Sequence, residues 1–381
     1  MYMTNFIKRS CLLLYMSMVV TLIQAYDIEA KNSDGITIYY NFINDGEELS
    51  VTKNNNQYAG NIVIPSVVTY QDITRRVTAI EDYAFSRCSD LLSVSIPNSV
   101  TTIGRAAFQH CSALTSLIIP NSVTTIDDYS FFECSSLTSV AISNRMVYMG
   151  ECAFAVCSSL TSINIPNSVK YIGGSIFAEC KSLTSVTISN KLSTISAAAF
   201  SKCSSLISVE IPNSVTSIGD VAFSGCSSLS SIIIPNSVIN IDGYAFYGCS
   251  NLTSVTIPES VNNIGPHAFF GCSKLSSVIS MIIYPCEIYG FYSALDTFDE
   301  DVFKNSTLYI PTGTLYYYKT ANGWKDFVHI KEGIPSSINS YKSNDKELDY
   351  YNMYGKHIIG PKQGVNIIRT KDGKAKKVIL K

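Results

Sequence analysis

The sequence predicts a solenoid whose class lies between α/β and mainly β, with about nine 23-residue repeats between two capping regions. Nine cysteines recur at an unbroken interval of 23 residues, with a phenylalanine three residues before each and a leucine three residues after. They are Cys88, Cys111, Cys134, Cys157, Cys180, Cys203, Cys226, Cys249 and Cys272. A fixed period of this length is typical of repeats that cannot bury their apolar face alone and must stack on their neighbours. We therefore expect function to lie on a repeated surface.

The first segment, 1–25, has the pattern of a secretory signal peptide. Lys8 and Arg9 precede an apolar run that opens at Cys11 and closes at Ala25. The cysteine of a lipoprotein would close such a run, so we expect cleavage without lipid attachment. No later stretch reaches about 18 uncharged apolar residues, and no membrane-spanning segment is expected after signal removal.

The second segment, 26–76, is predicted to be an N-terminal β cap. Short apolar stretches alternate with Asp-Gly and Asn-rich turns, and the last ends in Ile64-Pro65, a first partial copy of the repeat. Such a cap is needed because a solenoid otherwise exposes its core at each end.

Each repeat in 77–280 predicts two short segments joined by turns. In residues 229–238, β-branched side chains end at Pro235-Asn236, which indicates a strand and a turn. Residues 239–249 have apolar side chains at intervals of three and four, which predicts a second extended or helical-turn segment.

The pattern Leu-x-x-Leu-x-Ile-Pro, followed by Val-x-x-Ile-Gly-x-x-Ala-Phe-x-x-Cys, resembles the BspA-like leucine-rich repeats of bacterial surface proteins of the Bacteroidetes type. The resemblance extends from Val77 to Ile279, with Ser143 and Ser189 in place of proline. It implies a right-handed leucine-rich-repeat solenoid with a parallel sheet on its concave side. It also implies adhesion to host extracellular matrix or to other surface proteins.

The nine cysteines are predicted to form a ladder of reduced thiols in the core. Cysteine behaves as a small buried apolar residue, and equivalent side chains on stacked repeats run parallel, which is awkward for bridging. Disulfides remain the alternative because secretion favours them. The thiols stand in a line, whereas zinc needs four ligands that converge on one ion, so we expect no metal and no cofactor.

Three solvent-facing rows are expected along the strand segments, and one of them is mostly threonine, as at Thr138, Thr161 and Thr184. Another row is serine in every repeat, from Ser93 to Ser277, and predicts limited space with hydroxyl bonding along the sheet. The third row varies and is the candidate ligand-binding surface. The alternative is that its aliphatic members have no function, because single exposed aliphatic side chains are common on protein surfaces. Its candidate contacts are Ile118, Asn164, Thr187, Glu210 and Ile233.

The period fails after Ile279, and 281–335 is predicted to be a degenerate repeat with a C-terminal cap. Trp324, the only tryptophan, lies in a predicted helix and is expected to close the core rather than to stack on carbohydrate. Segment 336–381 is predicted to be a linker and a small basic C-terminal β segment, with ten Lys or Arg against four acids. It resembles the type IX secretion sorting domain of exported Bacteroidetes proteins, which implies delivery to the surface; a plain terminal β-module is the alternative.

No catalytic motif is present, and the four histidines occupy unrelated positions. Adjacent acids such as Asp127-Asp128 are interpreted as solubilising charge on a turn rather than as a pair across a cleft. The formal charge of −2 indicates neither nucleic acid nor an anionic membrane as partner. The sequence therefore predicts a protein that is not an enzyme.

We expect an exported recognition or adhesion protein of the cell surface or extracellular space, which binds a protein ligand through its repeat surface. The ligand expected from the resemblance is host matrix or another surface protein. A structural or spacer component of the cell envelope and a carbohydrate-binding accessory protein are the alternatives. The sequence makes no prediction of oligomeric state.

Overall fold

The predicted leucine-rich-repeat solenoid with parallel strands is confirmed. A computed structural model describes residues 26–54, 57–289 and 296–335, and the backbone of four strands between 349 and 380. Repeats are numbered here from Leu91 in steps of 23, so that repeat 3 is 137–159, repeat 4 is 160–182 and repeat 5 is 183–205.

The N-terminal region combines antiparallel and parallel pairing. Its strands are β1 (Ile28–Lys31), β2 (Thr37–Ile43), β3 (Glu48–Val51), β4 (Gly60–Val63), β5 (Val67–Tyr70) and β6 (Ile73–Ile80). Strands β1, β2 and β3 form an antiparallel meander, β5 and β6 form a hairpin, and β3 pairs in parallel with β6. The switch from antiparallel to parallel pairing places the cap directly on the first repeats.

Each repeat contributes two short strands to two separate rows. The first strand row contains β7 (Leu91–Ser95), β9 (Ser116–Ile118), β11 (Ser139–Ala141), β13 (Ser162–Asn164), β15 (Ser185–Thr187), β17 (Ser208–Glu210), β19 (Ser231–Ile233), β21 (Ser254–Ile257) and β23 (Ser277–Ser280). The second strand row contains β8 (Thr102–Ile103), β10 (Thr125–Ile126), β12 (Tyr148–Met149), β14 (Tyr171–Ile172), β16 (Thr194–Ile195), β18 (Ser217–Ile218), β20 (Asn240–Ile241) and β22 (Asn263–Ile264). Strand β4 pairs in parallel with β7 and so extends the first row into the cap.

The hydrogen-bonded ladders are interrupted at four places among the described strands. In the first row β7 does not pair with β9, β11 with β13, or β15 with β17. In the second row β14 does not pair with β16, and the Ser196 hydroxyl donates to the Ile172 carbonyl at 2.6 Å in place of a backbone amide. Repeat 5 therefore has no ladder pairing with repeat 6 in the first row and none with repeat 4 in the second row.

A column of stacked phenylalanine rings fills the core beneath the turns. Neighbouring rings from Phe85 to Phe269 lie 4.8–5.8 Å apart between centroids and within 14° of parallel. Tyr58 continues the column into the N-terminal cap, with its ring 4.6 Å from Phe85. Phe298 continues it past the last repeat, at 5.3 Å from Phe269. Offset stacking of aromatic rings stabilises such a column beyond the area it buries.

The turn residues above this column form a third ladder, here called the turn column. Between one repeat and the next, the backbone amides of every second turn residue donate to backbone carbonyls of the following repeat. Tyr83, Phe85 and Arg87 do so at 2.7–2.9 Å. The geometry requires two residues with positive φ in each repeat, such as Val156 at 61°. In the later repeats Gly225 and its equivalents take the second position, where glycine has no steric penalty.

The C-terminal end is closed by short helices and two more parallel strands. They are α1 (Glu300–Asn305), β24 (Thr307–Ile310), α2 (Leu315–Thr320), a 3₁₀ turn (Trp324–Asp326) and β25 (His329–Glu332). Trp324 is fully buried, and its indole donates to the Cys286 carbonyl at 2.7 Å. The Asp299 carboxylate accepts a hydrogen bond from the Gly271 amide at 2.6 Å. It thereby takes the place of the carbonyl that the next repeat supplies elsewhere in the turn column. Burial is the main cause that raises the pKa of the Asp299 carboxyl group.

Four further strands lie in the basic tail and form one antiparallel sheet. They are β26 (Asp349–Asn352), β27 (His357–Ile358), β28 (Gly364–Arg369) and β29 (Ala375–Leu380), in the order β27-β26-β28-β29. In the described part of the chain, no helix has the length and apolar character needed to cross a membrane.

We predict that replacing Cys180 by arginine unfolds the neighbouring repeats. The Cys180 side chain is fully buried, and an unpaired charge there costs several kcal/mol. The expected result is a fall of roughly 10 °C in the thermal midpoint followed by circular dichroism.

The matched control is Ser185→Arg, on the exposed side of β15 in the next repeat. It should change the midpoint by less than about 2 °C, because surface substitutions rarely exceed 0.5 kcal/mol. Equal midpoints for the two variants would contradict the placement of Cys180 in the core.

Candidate functional site

The five candidate ligand contacts all lie at the exposed ends of strands in the first row. Ile118 ends β9 with 73% of its surface exposed, and Ile233 ends β19 with 45% exposed. Asn164, Thr187 and Glu210 end β13, β15 and β17 and are exposed as well. They face outward because side chains alternate along a strand and the residues on either side, such as Ile163 and Ile165, are buried.

Four of the five candidates lie on consecutive repeats and form two register pairs. Asn164 and Thr187 are register partners across β13 and β15. Glu210 and Ile233 are register partners across β17 and β19. No ladder pairing joins Thr187 to Glu210, although β15 and β17 remain neighbours. Ile118 is the register partner of Ala141, so one repeat lies between Ile118 and Asn164.

A pocket of about 360 Å³ adjoins the Asn164 and Thr187 pair. Its lining is Asn144, Asn164, Ile165, Pro166, Asn167, Ser168 and Thr187. Asn144 and Asn167 stand in equivalent turns of neighbouring repeats, directly after the first strand. Sequence reasoning that considered only the strand residues missed them. Their signal was the asparagine that recurs in this turn, in Ser143-Asn144-Arg145 as well as in Pro166-Asn167-Ser168.

The pocket offers many hydrogen-bonding groups and no carboxylate. Each asparagine amide both donates and accepts, and a threonine hydroxyl does the same. Asn167 already accepts from the Asn190 amide of the next repeat at 2.9 Å, which holds its carbonyl oxygen in place. The Ser168 hydroxyl is buried without a partner among the described residues, as are the serines at the same position of four other repeats.

Hydroxyl bonding along the sheet was expected in the invariant serine row, and this expectation is wrong. The bonds lie in the neighbouring row, where Thr138, Thr161 and Thr184 each donate to the carbonyl of the equivalent residue one repeat earlier, at 3.0–3.4 Å. In the serine row the described bond is the one from Ser93 to Asn61 in the cap. The serines of repeats 2 to 6 are therefore exposed hydroxyls.

Acidic residues interpreted as solubilising charge also have structural partners. Asp82 accepts from the Arg105 amide at 2.8 Å, and Asp128 accepts from the Glu151 amide at 2.7 Å. Glu81 accepts from the Asn41 side chain in the cap at 3.0 Å. Each of these carboxylates connects neighbouring turns of the chain, which a pattern of adjacent acids does not reveal.

The nine periodic cysteines lie in the core as free thiols. From Cys111 to Cys272 each thiol donates to the phenylalanine carbonyl of the preceding repeat at 3.1–3.3 Å. Burial raises the pKa of Cys180, Cys226 and Cys272 to about 12, so these thiols are protonated at neutral pH. In the described ranges no group of three or more His, Cys, Asp or Glu is arranged to hold a metal ion.

A protein-family profile described as "BspA type Leucine rich repeat region" matches the chain in six copies, over residues 66–184 and 171–309. These matches cover more than half of the 381 residues. A comparison with curated proteins gives no match.

Several solved structures are similar to the chain. A leucine-rich repeat protein from Bacteroides ovatus has 26% identity and a TM-score of 0.57, with 82% of this chain and 89% of that chain covered. A leucine-rich repeat protein from T. pallidum has 26% identity and a TM-score of 0.41, with 62% and 87% covered. A leucine rich cell surface protein from Faecalibacterium prausnitzii has 23% identity and a TM-score of 0.35, with 84% and 99% covered.

We predict that the nine periodic thiols do not react in the folded protein at pH 8 and that all eleven described thiols react after denaturation. The pKa of Cys180 is raised from 9.0 to about 12, so the reactive thiolate is scarce, and burial blocks the reagent. Titration with a chromogenic disulfide should find at most Cys152 and Cys286, which are half-buried, before denaturant is added.

The same shift predicts a pH dependence. Above pH 9 the unfolded thiols ionise while the folded ones stay protonated until about pH 12, so stability is fully present below pH 9 and falls above it. In the thiol titration described above, a count well below eleven after denaturation would establish disulfides.

Proposed function

We propose, on the premise that this chain belongs to the BspA-type leucine-rich repeat family, that it is a non-enzymatic recognition protein of the cell surface that binds a protein ligand through its first strand row. The observation that carries the proposal is the polar pocket beside Asn164 and Thr187. It adjoins two polar members of an exposed row whose side chain changes from one repeat to the next.

The shape of the first row supports this role. Short parallel strands at a regular spacing make an extended surface, which is how solenoid proteins present a face to a partner. The buried positions of the first strand row are nearly constant. Its variable exposed positions, from Ser95 to Thr256, contain hydroxyl, amide, carboxylate and aliphatic side chains. Recognition depends on such differences, because identical repeats offer a ligand no preferred register.

Delivery to the surface is part of the proposal. The signal pattern in 1–25 and the similarity of the tail to a type IX sorting domain support it. The tail contains the antiparallel sheet β27-β26-β28-β29, which is consistent with the short C-terminal β-domain that the tail resembles. By family resemblance, host extracellular-matrix proteins are the first ligands to examine.

The binding surface is tested with the triple variant Asn164→Ala, Thr187→Ala and Glu210→Ala. We expect saturable binding of at least one matrix protein, measured by surface plasmon resonance, and a loss of tenfold or more in affinity for the variant. Such a loss corresponds to about 1.4 kcal/mol, which is typical when central contacts are truncated.

The matched control is Glu179→Ala, Ser201→Ala and Ser224→Ala, which removes similar groups from the turn column. It should leave affinity within twofold of the parent. Binding lost equally in both variants, or kept in both, would contradict the use of the first row. No binding to any matrix or surface protein would favour a spacer of the cell envelope.

Sorting is tested by deleting 336–381 and, separately, by fusing 336–381 to a periplasmic reporter in a Bacteroidetes host with type IX secretion. We expect the full chain and the reporter fusion to be degraded by protease added to intact cells, and the deleted chain to be protected. A deleted chain that is equally accessible would assign the tail no sorting role.

A further inference from the structure

We propose that the corner between the two strand rows in repeats 3 to 5 binds an acidic glycan, a sugar chain that carries carboxylate or sulfate groups. This basic corner consists of Arg145, Lys170 and Lys191, which do not line the pocket described above but are close to its lining in the chain. Arg145 follows Asn144, Lys170 lies two residues after Ser168, and Lys191 follows Asn190, whose amide donates to Asn167. The proposal goes beyond the binding of a protein ligand. It shares Asn164 and Thr187 with that surface but does not depend on a protein ligand being found.

The three cations are unusual for their positions. Arg145 and Lys191 stand where the six other complete repeats have serine. Lys170 stands where none of the other seven complete repeats has a charge. The three cations occur in three consecutive repeats. The spacing of these repeats is given by the ring centroids of the phenylalanine column, which lie 5.8 Å apart between repeats 3 and 4 and 5.6 Å apart between repeats 4 and 5. Two of the cations are therefore spaced to contact successive anionic groups of one chain.

The three cations are exposed and have no acidic partner among the residues that the structure describes. Four ion pairs occur among the described residues, and none of them includes Arg145, Lys170 or Lys191. The only acids in repeats 3 to 5 are Glu151 and Glu179, and both lie in the turn column. An incoming anion gains charge-assisted hydrogen bonds here without breaking an existing ion pair.

The pocket next to this corner fits a sugar better than an acidic peptide. Its exposed lining is three asparagines and one threonine, while Ile165 and Pro166 are buried. Peptide recognition usually relies on pockets for large apolar or aromatic anchors, and this lining offers none. Amides and hydroxyls match the many hydroxyl groups of a sugar ring. A volume of about 360 Å³ lies within the range of small-ligand sites.

An exposed aromatic ring borders the cations on the second strand row. Tyr171 has half of its surface exposed, follows Lys170 directly and stacks on Tyr148 at 5.3 Å. Burial is the main cause that raises the pKa of the Tyr148 phenol, and the charges of Asp128 and Glu151 on that side contribute to the rise. The acids exclude anionic groups from the Tyr148 side, so the charged groups of the glycan face Arg145 and Lys191.

The test measures binding of the full chain to three defined oligosaccharides by isothermal titration calorimetry. They are a sulfated heparin hexasaccharide, a carboxylated galacturonic acid hexasaccharide and a neutral maltohexaose. We expect one of the acidic probes to bind, with affinity that falls as salt is raised, and the neutral probe not to bind. The two acidic probes distinguish sulfate from carboxylate as the preferred group.

Two matched variants locate the site. Arg145→Gln, Lys170→Gln and Lys191→Gln should lower the affinity tenfold or more. Lys181→Gln, Lys202→Gln and Lys274→Gln remove the same charge from exposed positions outside the corner and should change affinity less than twofold. All six positions are exposed, so both variants should keep the parent melting temperature. Equal losses in the two variants would overturn the assignment.

A third comparison separates a sugar site from general attraction of anions. Asn164→Ala with Asn167→Ala should weaken binding of the acidic glycan at least threefold, because the amides contact sugar hydroxyls. Binding of a polyglutamate peptide as tight as that of the glycan would overturn the proposal and indicate an acidic peptide site. Absence of binding to both acidic glycans would overturn it also, and neither result depends on the screen of matrix proteins.

Discussion

The stacking of one phenylalanine ring on the next is the constraint on which the rest of the molecule depends. Each ring must lie about 5 Å from the ring before it, and the chain must return to that point after one complete circuit. A circuit of 23 residues meets the condition, and cysteine, leucine and isoleucine fill the remaining core around the column. Tyr58 at one end and Phe298 at the other keep the column covered by aromatic rings. The period of the sequence is thus the length of chain needed to bring one ring onto the next.

This constraint divides the residues of a repeat into two classes. Residues that face the column or form the turn column are limited by packing and by hydrogen bonds to the adjacent repeat. Residues between them, such as Asn164 and Arg145, face solvent and are free to differ. A recognition surface can therefore change by single substitutions while the scaffold stays the same. The polar pocket adjoins repeats 3 to 5, and in the same repeats Arg145, Lys170 and Lys191 replace the uncharged residues found at these positions elsewhere.

Much of the fold could be predicted because the same apolar positions recur in nine copies of the repeat. Periodicity was sufficient for the solenoid, for the two segments of each repeat and for the outward direction of residues such as Glu210. Contacts between repeats were less accessible, because they depend on which amide faces which carbonyl. The role of Asp128 as an acceptor for the next repeat and the hydroxyl bonds of Thr161 are of this kind. Tyr58 was missed because it lies 27 residues before Phe85 and so falls outside the period.

The step from Phe269 to Phe298 is 29 residues long, yet the two rings stack at the same distance as the others. Stacking therefore constrains where the chain returns but not the number of residues between two rings. Extra residues can leave the scaffold as a loop and rejoin it in register. For a protein family that evolves by duplication of repeats, this means that new loops can be added at a turn without moving the repeats on either side. Whole repeats, in contrast, would shift every surface determinant beyond them by one ring spacing, so the two kinds of insertion have different effects on recognition.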